Sequence, residues 1–513
     1  MATQPNILFF HVDNLGAGEL SCYSGGPFRG LTTERIDMFA REGFRLTNYA
    51  PEAQCTPSRS ALLTGRHAIR SGTHSVPLGA PGGWGLVAWE RTLGDLLSEA
   101  GYTCAAYGKW HVGEGQGRWP TDKGFEEWYG PPRTYDEALW PTDPFYDPDR
   151  DPTSRMVEIK RGQPDVVERD QLTLDVRRDC DVDYLRRATA FMRRSVASGS
   201  PFFVYFNHSL MHMPVIPRAE FKGKTGHGDW ADSLLELDTD FGTLLDLLDE
   251  LGVSEDTIVV FAGDNGPEEV VLWRGSPGYW EGSYFAGGEG NLRTPCIVRW
   301  PKHVPAGRVS NDIMHVTDWF TTLLRAAGSS APADRVIDGI DQLDWLTGRS
   351  EASQRDGYVY WMGSQIYGVK WRDFKLVLVA QRYSTDAAEH LASPRIINLI
   401  SESSRARADQ PALPALLDRD ALQPHPRRIP RERRVRAADR SGRAARPCSV
   451  HGSGSASSGC SVAGERTVSC PPPPAITPGS STGATRRVTR HSTGEGRRHR
   501  YRTCSGYRRT ETP

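Results

Sequence analysis

The chain has no run of about 18 apolar residues, so no segment has the length and hydropathy of a membrane-crossing helix. It has no Cys-x-x-Cys pair and no regular cysteine spacing. Nine cysteines, an odd number, are scattered at Cys22, Cys55, Cys104, Cys180, Cys296 and four positions beyond residue 400. A disulfide framework and a zinc knuckle are thereby excluded as organising devices. There is no internal repeat and no glycine-rich phosphate loop, which removes solenoids and P-loop nucleotide chemistry. The start, Met1-Ala2-Thr3-Gln4-Pro5, shows no basic segment and no small-residue cleavage site before the short apolar run ending at Val12. A cytoplasmic protein is the expectation.

Scarcity also divides the chain. All its lysines lie before residue 376, and residues 401–513 contain no Lys, Asn, Met, Phe or Trp. That segment holds 22 Arg against 9 acidic residues, whereas the part before it holds 40 basic and 54 acidic side chains. The net charge of −1 therefore averages two polymers of opposite sign. A segment dominated by Arg, Ser, Pro and Gly buries too little apolar surface to fold alone, so 402–513 is expected to be a disordered, low-complexity tail. A reading-frame shift near residue 400 in a GC-rich gene accounts for the abrupt change, with a native disordered tail as its rival. The basic charge of the tail reads as solvated rather than as a nucleic-acid surface.

Before residue 400, short apolar runs end abruptly in polar residues and are followed by helical patterns, the rhythm of a mostly parallel sheet with crossover helices. Five strand ends stand out: Ile7 to Val12 at Asp13-Asn14, Cys104 to Tyr107 at Gly108-Lys109, Phe202 to Phe206 at Asn207-His208, Thr257 to Ala262 at Gly263-Asp264-Asn265, and Cys296 to Trp300 at Pro301. In an open α/β sheet such termini should converge on a ligand. Leu234, Leu237, Phe241, Leu244, Leu248 and Leu251 recur at helical spacing, with Ser233 as the expected N-cap and Gly252 past the end. A second helix turns Ile36, Phe39 and Ala40 inward and stops at Gly43. From Gly357 to Leu399 the pattern changes to short Tyr-, Val- and Ile-rich strands, the mark of a small antiparallel unit.

The sharpest segment is Cys55-Thr56-Pro57-Ser58-Arg59-Ser60-Ala61-Leu62-Leu63-Thr64-Gly65-Arg66. With Pro57 at the first helical position, Cys55 would lie at a helix N-terminus, where backbone N–H groups favour a nucleophile facing an anion. This run resembles the signature of the type I sulfatases of the alkaline phosphatase superfamily, whose C-x-P-S-R cysteine is oxidised to formylglycine. The resemblance implies a large mostly parallel or mixed α/β sheet flanked by helices, with a small C-terminal antiparallel subdomain. It implies a catalytic domain over residues 1–350 and an incomplete small subdomain over 351–401. It also implies that Asp13, Asn14, Asp264 and Asn265 ligate one divalent cation, Ca²⁺ or alternatively Mg²⁺, a donor set suited to a hard cation. Arg59 and Lys109 would hold sulfate oxygens, and His111 would orient the nucleophilic diol. His212, in Met211-His212-Met213-Pro214, matches the family histidine that binds sulfate and protonates the leaving oxygen, with His208 the less favoured candidate. One hydroxyl of the hydrated aldehyde would attack sulfur, and the other would then expel sulfate. The implied partners are a small sulfate ester and a formylglycine-generating enzyme.

The chain departs from the family pattern at two places. Many relatives have Asp-Asp where Asp13-Asn14 stands, and many carry a second sulfate-binding lysine near the position of Tyr284, ahead of Glu289-Gly290-Asn291-Leu292-Arg293-Thr294-Pro295. Arg274 is the cation offered as its replacement. The competing functions are a phosphonate monoester or phosphodiester hydrolase using the same site, and a catalytically dead product of the frame shift.

Overall fold

The computed structural model describes residues 4–23, 30–77, 84–163, 166–270 and 272–401. The expected tail over 402–513, and the frame shift proposed for it, lie outside the described residues. Among those residues no helix is long and apolar enough to cross a membrane.

An eleven-stranded mixed sheet forms the centre. Its strands are β1 (Asn6–Val12), β2 (Phe44–Ala50), β3 (Thr103–Gly108), β4 (Glu127–Gly130), β5 (Arg155–Lys160), β6 (Val167–Gln171), β7 (Phe202–His208), β8 (Thr257–Gly263), β9 (Thr294–Arg299), β10 (Arg308–Ser310) and β11 (Met314–His315). They run in the order β10-β2-β9-β8-β1-β7-β3-β4-β5-β6, with β11 also paired to β2. The middle strands β8, β1, β7 and β3 are parallel, with Val12 level with His208 on one side and with Gly263 on the other. Both faces are covered, which is why these strands read as continuous apolar runs rather than alternating ones. Ile7 and Phe9 point into one core, Leu8, Phe10 and Val12 into the other.

The fifth expected strand end is corrected by the topology. β9 lies antiparallel to both β8 and β2, so Pro301 follows its far end and the amino end, at Thr294, lies beside Gly263. An apolar run carries no sign of its direction, and four parallel neighbours made the wrong one look natural.

Helix Asp229–Glu250 buries Leu234, Leu237, Phe241, Leu244 and Leu248 against the Phe10 face. Ser233 is buried inside this helix and is not its cap; the chain enters at Gly228, and Gly252 beyond the end has the left-handed φ of +68°. In helix Glu34–Glu42, Ile36, Phe39 and Ala40 are buried as expected. Gly43 follows with extended backbone, and the reason for glycine is contact, since a Cβ there would lie 2.5 Å from the carbonyl oxygen of Val298.

A second sheet, antiparallel throughout, is built from β12 (Gly357–Met362), β13 (Gln365–Trp371), β14 (Phe374–Ala380) and β15 (Glu389–Asn398). It packs through Tyr358, Tyr360, Met362, Tyr367 and Val379 onto Ala50, Ala53 and Leu292. Its polar anchor is Glu289, buried and held by Lys370 (2.6 Å), Lys375 (2.9 Å) and Arg293. Burial would raise the Glu289 carboxyl, but these three cations hold it well below the usual carboxylate range. Two residues on, Asn291 donates to the carbonyl of Ala53 (3.1 Å) and accepts from the backbone N–H of Gly266 (2.9 Å). The small sheet is thereby tied to the entrance of the Cys55 helix and to the turn after Asp264-Asn265. Glu289→Ala leaves three buried cations without their shared anion and is expected to destabilise the fold by about 3–5 kcal/mol. Denaturant unfolding checks this, and a loss below about 1 kcal/mol would show that the cluster is not a coupled anchor.

Candidate active site

The carboxyl ends of β1, β8, β7 and β3 deliver Asp13-Asn14, Asp264-Asn265, Asn207 and Lys109 to one spot, and helix Cys55–Thr64 runs into it from the side. Cys55 is the first residue of that helix, with Gln54 at the N-cap and Pro57 two residues further in than the sequence suggests. Proline is tolerated there because the first-turn N–H groups have no partner within the helix. The close approach of β3 and β7 needs glycine at 108: its φ is +88°, and a Cβ would stand 2.0 Å from the Asn207 carbonyl oxygen.

Arg59 joins the pieces. Its guanidinium donates to Asp264 Oδ2 (2.9 Å), to Asn207 Oδ1 (2.7 Å) and to the Lys109 carbonyl (3.0 Å), and lies 3.3 Å from Asp13. Lys109 Nζ is 2.9 Å from Asp13 Oδ2, and all four charged side chains are fully buried. Burial opposes ionisation of Asp13, yet Lys109, His212 and Arg59 hold its carboxyl far below the ordinary range. Burial and the like charge of Asp13 push Asp264 up instead. Arg59 and Lys109 keep their protons despite burial, because Asp264 and Asp13 face them.

Asn14 and Asn265 touch through their amides, and Asn14 takes the left-handed φ of +59° that its short polar side chain tolerates. The Asn14 amide also donates to Glu268 Oε1 (2.8 Å). Cys55 Sγ lies 3.2 Å from His111 Nδ1. Burial pushes the thiol up to about 12 against the partial relief offered by Lys109, so it stays protonated near neutrality. His111, itself at φ +53°, is held neutral by burial and by Lys109 and Arg59. His212 is lowered to about 4 by burial and Lys109; its Nδ1 donates to the Met213 carbonyl (2.6 Å), and its Nε2 lies 3.1 Å from Thr134 Oγ1.

The nine residues singled out in the sequence thus belong to one buried neighbourhood. His208 does not join it: it pairs with Asp240 (3.1 Å) under the Phe10 face, where Asp181 and Asp240 overcome burial and favour its charged form. Arg274 is 65% exposed and bonded to Glu269, so it does not replace the absent lysine. Tyr284 stands at that position, its hydroxyl accepting from Gln54 (3.1 Å). Sequence pattern overlooks Asn207, visible only as a polar break after an apolar strand, and Glu268, which has no signal beyond following Gly-Asp-Asn-Gly. Burial, with Asp136 and Asp13 nearby, pushes Glu268 up to about 8.

Known proteins resemble this chain over most of its described length. The family model described as Sulfatase matches residues 5–329, and the one described as N-sulphoglucosamine sulphohydrolase, C-terminal, matches 281–393. N-acetylgalactosamine-6-sulfatase of Canis lupus familiaris is 34% identical over 392 residues, covering 72% of this chain and 71% of that protein. Arylsulfatase A of Homo sapiens is 32% identical over 375 residues, covering 70% and 71%. Among solved structures, the PsFucS1 sulfatase from Pseudoalteromonas sp. superposes with a TM-score of 0.73 at 30% identity, covering 78% of this chain and 85% of that one. The chain belongs to the sulfatase family and is an enzyme that hydrolyses sulfate esters.

Proposed function

We propose that this chain cleaves a sugar sulfate monoester through a formylglycine made from Cys55, with one divalent cation held by Asp13, Asn14, Asp264 and Asn265. The observation that carries the reading is the place of Cys55: first residue of its helix, 3.2 Å from His111 Nδ1 and beside the buried cations Arg59 and Lys109, a position that suits a nucleophile facing an anion. The choice of a sugar ester follows the printed names of the relatives, N-acetylgalactosamine-6-sulfatase among them.

The donor set fits a hard cation. Oδ1 of Asp13 and Oδ1 of Asn265 are buried without a hydrogen bond, and the other donors are also carboxylate and amide oxygens. Ca²⁺ is the ion proposed, with Mg²⁺ the alternative. When bound, it supplies a Lewis acid for a sulfate oxygen and neutralises the two carboxylates. A hydrated aldehyde at position 55, made by a formylglycine-generating enzyme, supplies the nucleophilic oxygen.

The remaining work falls to residues of the chain. Arg59 and Lys109 face the sulfate oxygens and stabilise charge that grows there in the transition state. His111 sits within hydrogen-bond reach of the side chain at 55 and holds its proton in place. His212 is neutral in the free enzyme, its Nδ1 proton held by the Met213 carbonyl. An arriving sulfate anion raises its proton affinity, so Nε2 takes up a proton and delivers it to the leaving oxygen.

Mass spectrometry of the tryptic peptide Leu46 to Arg59 is the direct test: co-expression with the maturation enzyme should give the mass of an aldehyde in place of the thiol at Cys55. An unmodified thiol under those conditions would sink the formylglycine route. His212→Ala is expected to lower kcat by about 10²–10⁴ on a sugar sulfate and by much less on an aryl sulfate with an acidic phenol, because only the first leaving group needs a proton. Equal losses on both would remove the general-acid role. Chelation should abolish turnover and Ca²⁺ or Mg²⁺ restore it; full activity in the metal-depleted protein would exclude the cation.

A further inference from the structure

We propose that Glu52, His67 and His315 form a second metal site, for a borderline first-row divalent cation such as Zn²⁺, separate from the oxygen-lined cluster at Asp13. One ligand atom from each lies within 4.8 Å of the other two. Glu52 and His315 are buried, while the His67 side chain keeps 13% exposure, leaving a solvent side for a fourth ligand. Two imidazoles and one carboxylate with an open position are the donors of a four-coordinate zinc centre, and they differ in kind from the carboxylate and amide oxygens of the other cluster.

The backbones that present these side chains are separately fixed. Glu52 follows β2 by two residues, and β11 places His315 level with Ala50 at the end of that strand. The His315 N–H donates to Asp318 (2.9 Å), and the His67 N–H donates to Asp338 (2.9 Å). His315 Nδ1 accepts from the Thr317 backbone N–H (3.3 Å) and lies 2.9 Å from Thr317 Oγ1, which orients the ring, and a metal at Nε2 displaces the proton held there. His67 Nδ1 and Glu52 Oε1 are 2.9 Å apart. Ligands at zinc distances stand roughly 3.3 Å from one another, so the third donor needs to move inward by no more than about 1.5 Å. The nearby cation Arg355 is already neutralised, with its Nε and Nη2 both on Asp318.

The place of the site gives it a purpose. Glu52 and His67 flank helix Cys55–Thr64, and the Glu52 carbonyl also accepts from Ser58 Oγ in the first turn (3.1 Å). A metal across these residues closes a short loop around the helix that carries Cys55 and Arg59 and pins it to β11.

The full chain, saturated with Ca²⁺, is titrated with Co²⁺ and then with Zn²⁺. The expected result is one equivalent of Co²⁺ with the intense visible absorption of a tetrahedral centre, displaced by Zn²⁺, and a Tm that rises with Zn²⁺. His67→Asn and His315→Asn should each weaken Zn²⁺ binding by more than about 100-fold, beyond the loss of an outer-shell partner. His390→Asn, on exposed β15, should leave it unchanged. Where a histidine variant does not fold, Glu52→Gln, which keeps the side-chain volume, is expected to lose the equivalent in the same way. Absence of the Co²⁺ spectrum in the unaltered chain, or an equivalent retained in the His67→Asn/His315→Asn double variant, would overturn the proposal.

Discussion

Asp13, Arg59, Lys109 and Asp264 are ionisable groups with no access to solvent, and each is tolerable only in the presence of the others. They come from β1, a helix, the end of β3 and the end of β8, so the mutual need for counter-charge fixes how these elements meet. Arg59 is the piece without substitute. Its planar fork reaches two carboxylates, an amide and a carbonyl at once, which a lysine ammonium at the same place would not do. The parallel order of β8, β1, β7 and β3 is what brings these termini to one edge of the sheet, and the apolar strands behind them exclude the water that would otherwise solvate the charges. Site and core are for this reason one cooperative unit.

Much of this is legible in the sequence, for a physical reason. Asp13-Asn14, Gly108-Lys109 and Asp264-Asn265 are polar breaks at the ends of fully apolar runs, and such breaks mark the edge at which a doubly covered sheet meets a ligand. The Cys55 to Arg66 run is specific enough to carry a family resemblance by itself, and that resemblance supplied the link between these termini and the histidines. The illegible parts are those set by long-range partners. The direction of β9 depends on where the chain returns after the loop that follows Asn265. Ser233 looks like a cap until the helix is seen to begin at Asp229, and His208 differs from His212 only in what faces it: two carboxylates of neighbouring helices instead of Lys109 and Asp13.

Glu268 and Tyr284 give this site its individual character. Each occupies ground beside the family residues without being announced by a motif, one a buried carboxyl bonded to Asn14, the other a phenol where many relatives have a lysine. The wall around Cys55 is accordingly less positive than the resemblance implies.

The Glu289 anchor has a consequence for the order in which the protein is made. Asn291 bridges Ala53 and Gly266, but the turn that carries it is held by Lys370 and Lys375 from β13 and β14. A chain leaving the ribosome amino end first has exposed the Cys55 segment long before those two lysines emerge, and the bridge cannot close until they do. Cys55 is 2% exposed once the chain has folded, so any enzyme that acts on it meets a chain in which the last sheet and the helix entrance have yet to close together.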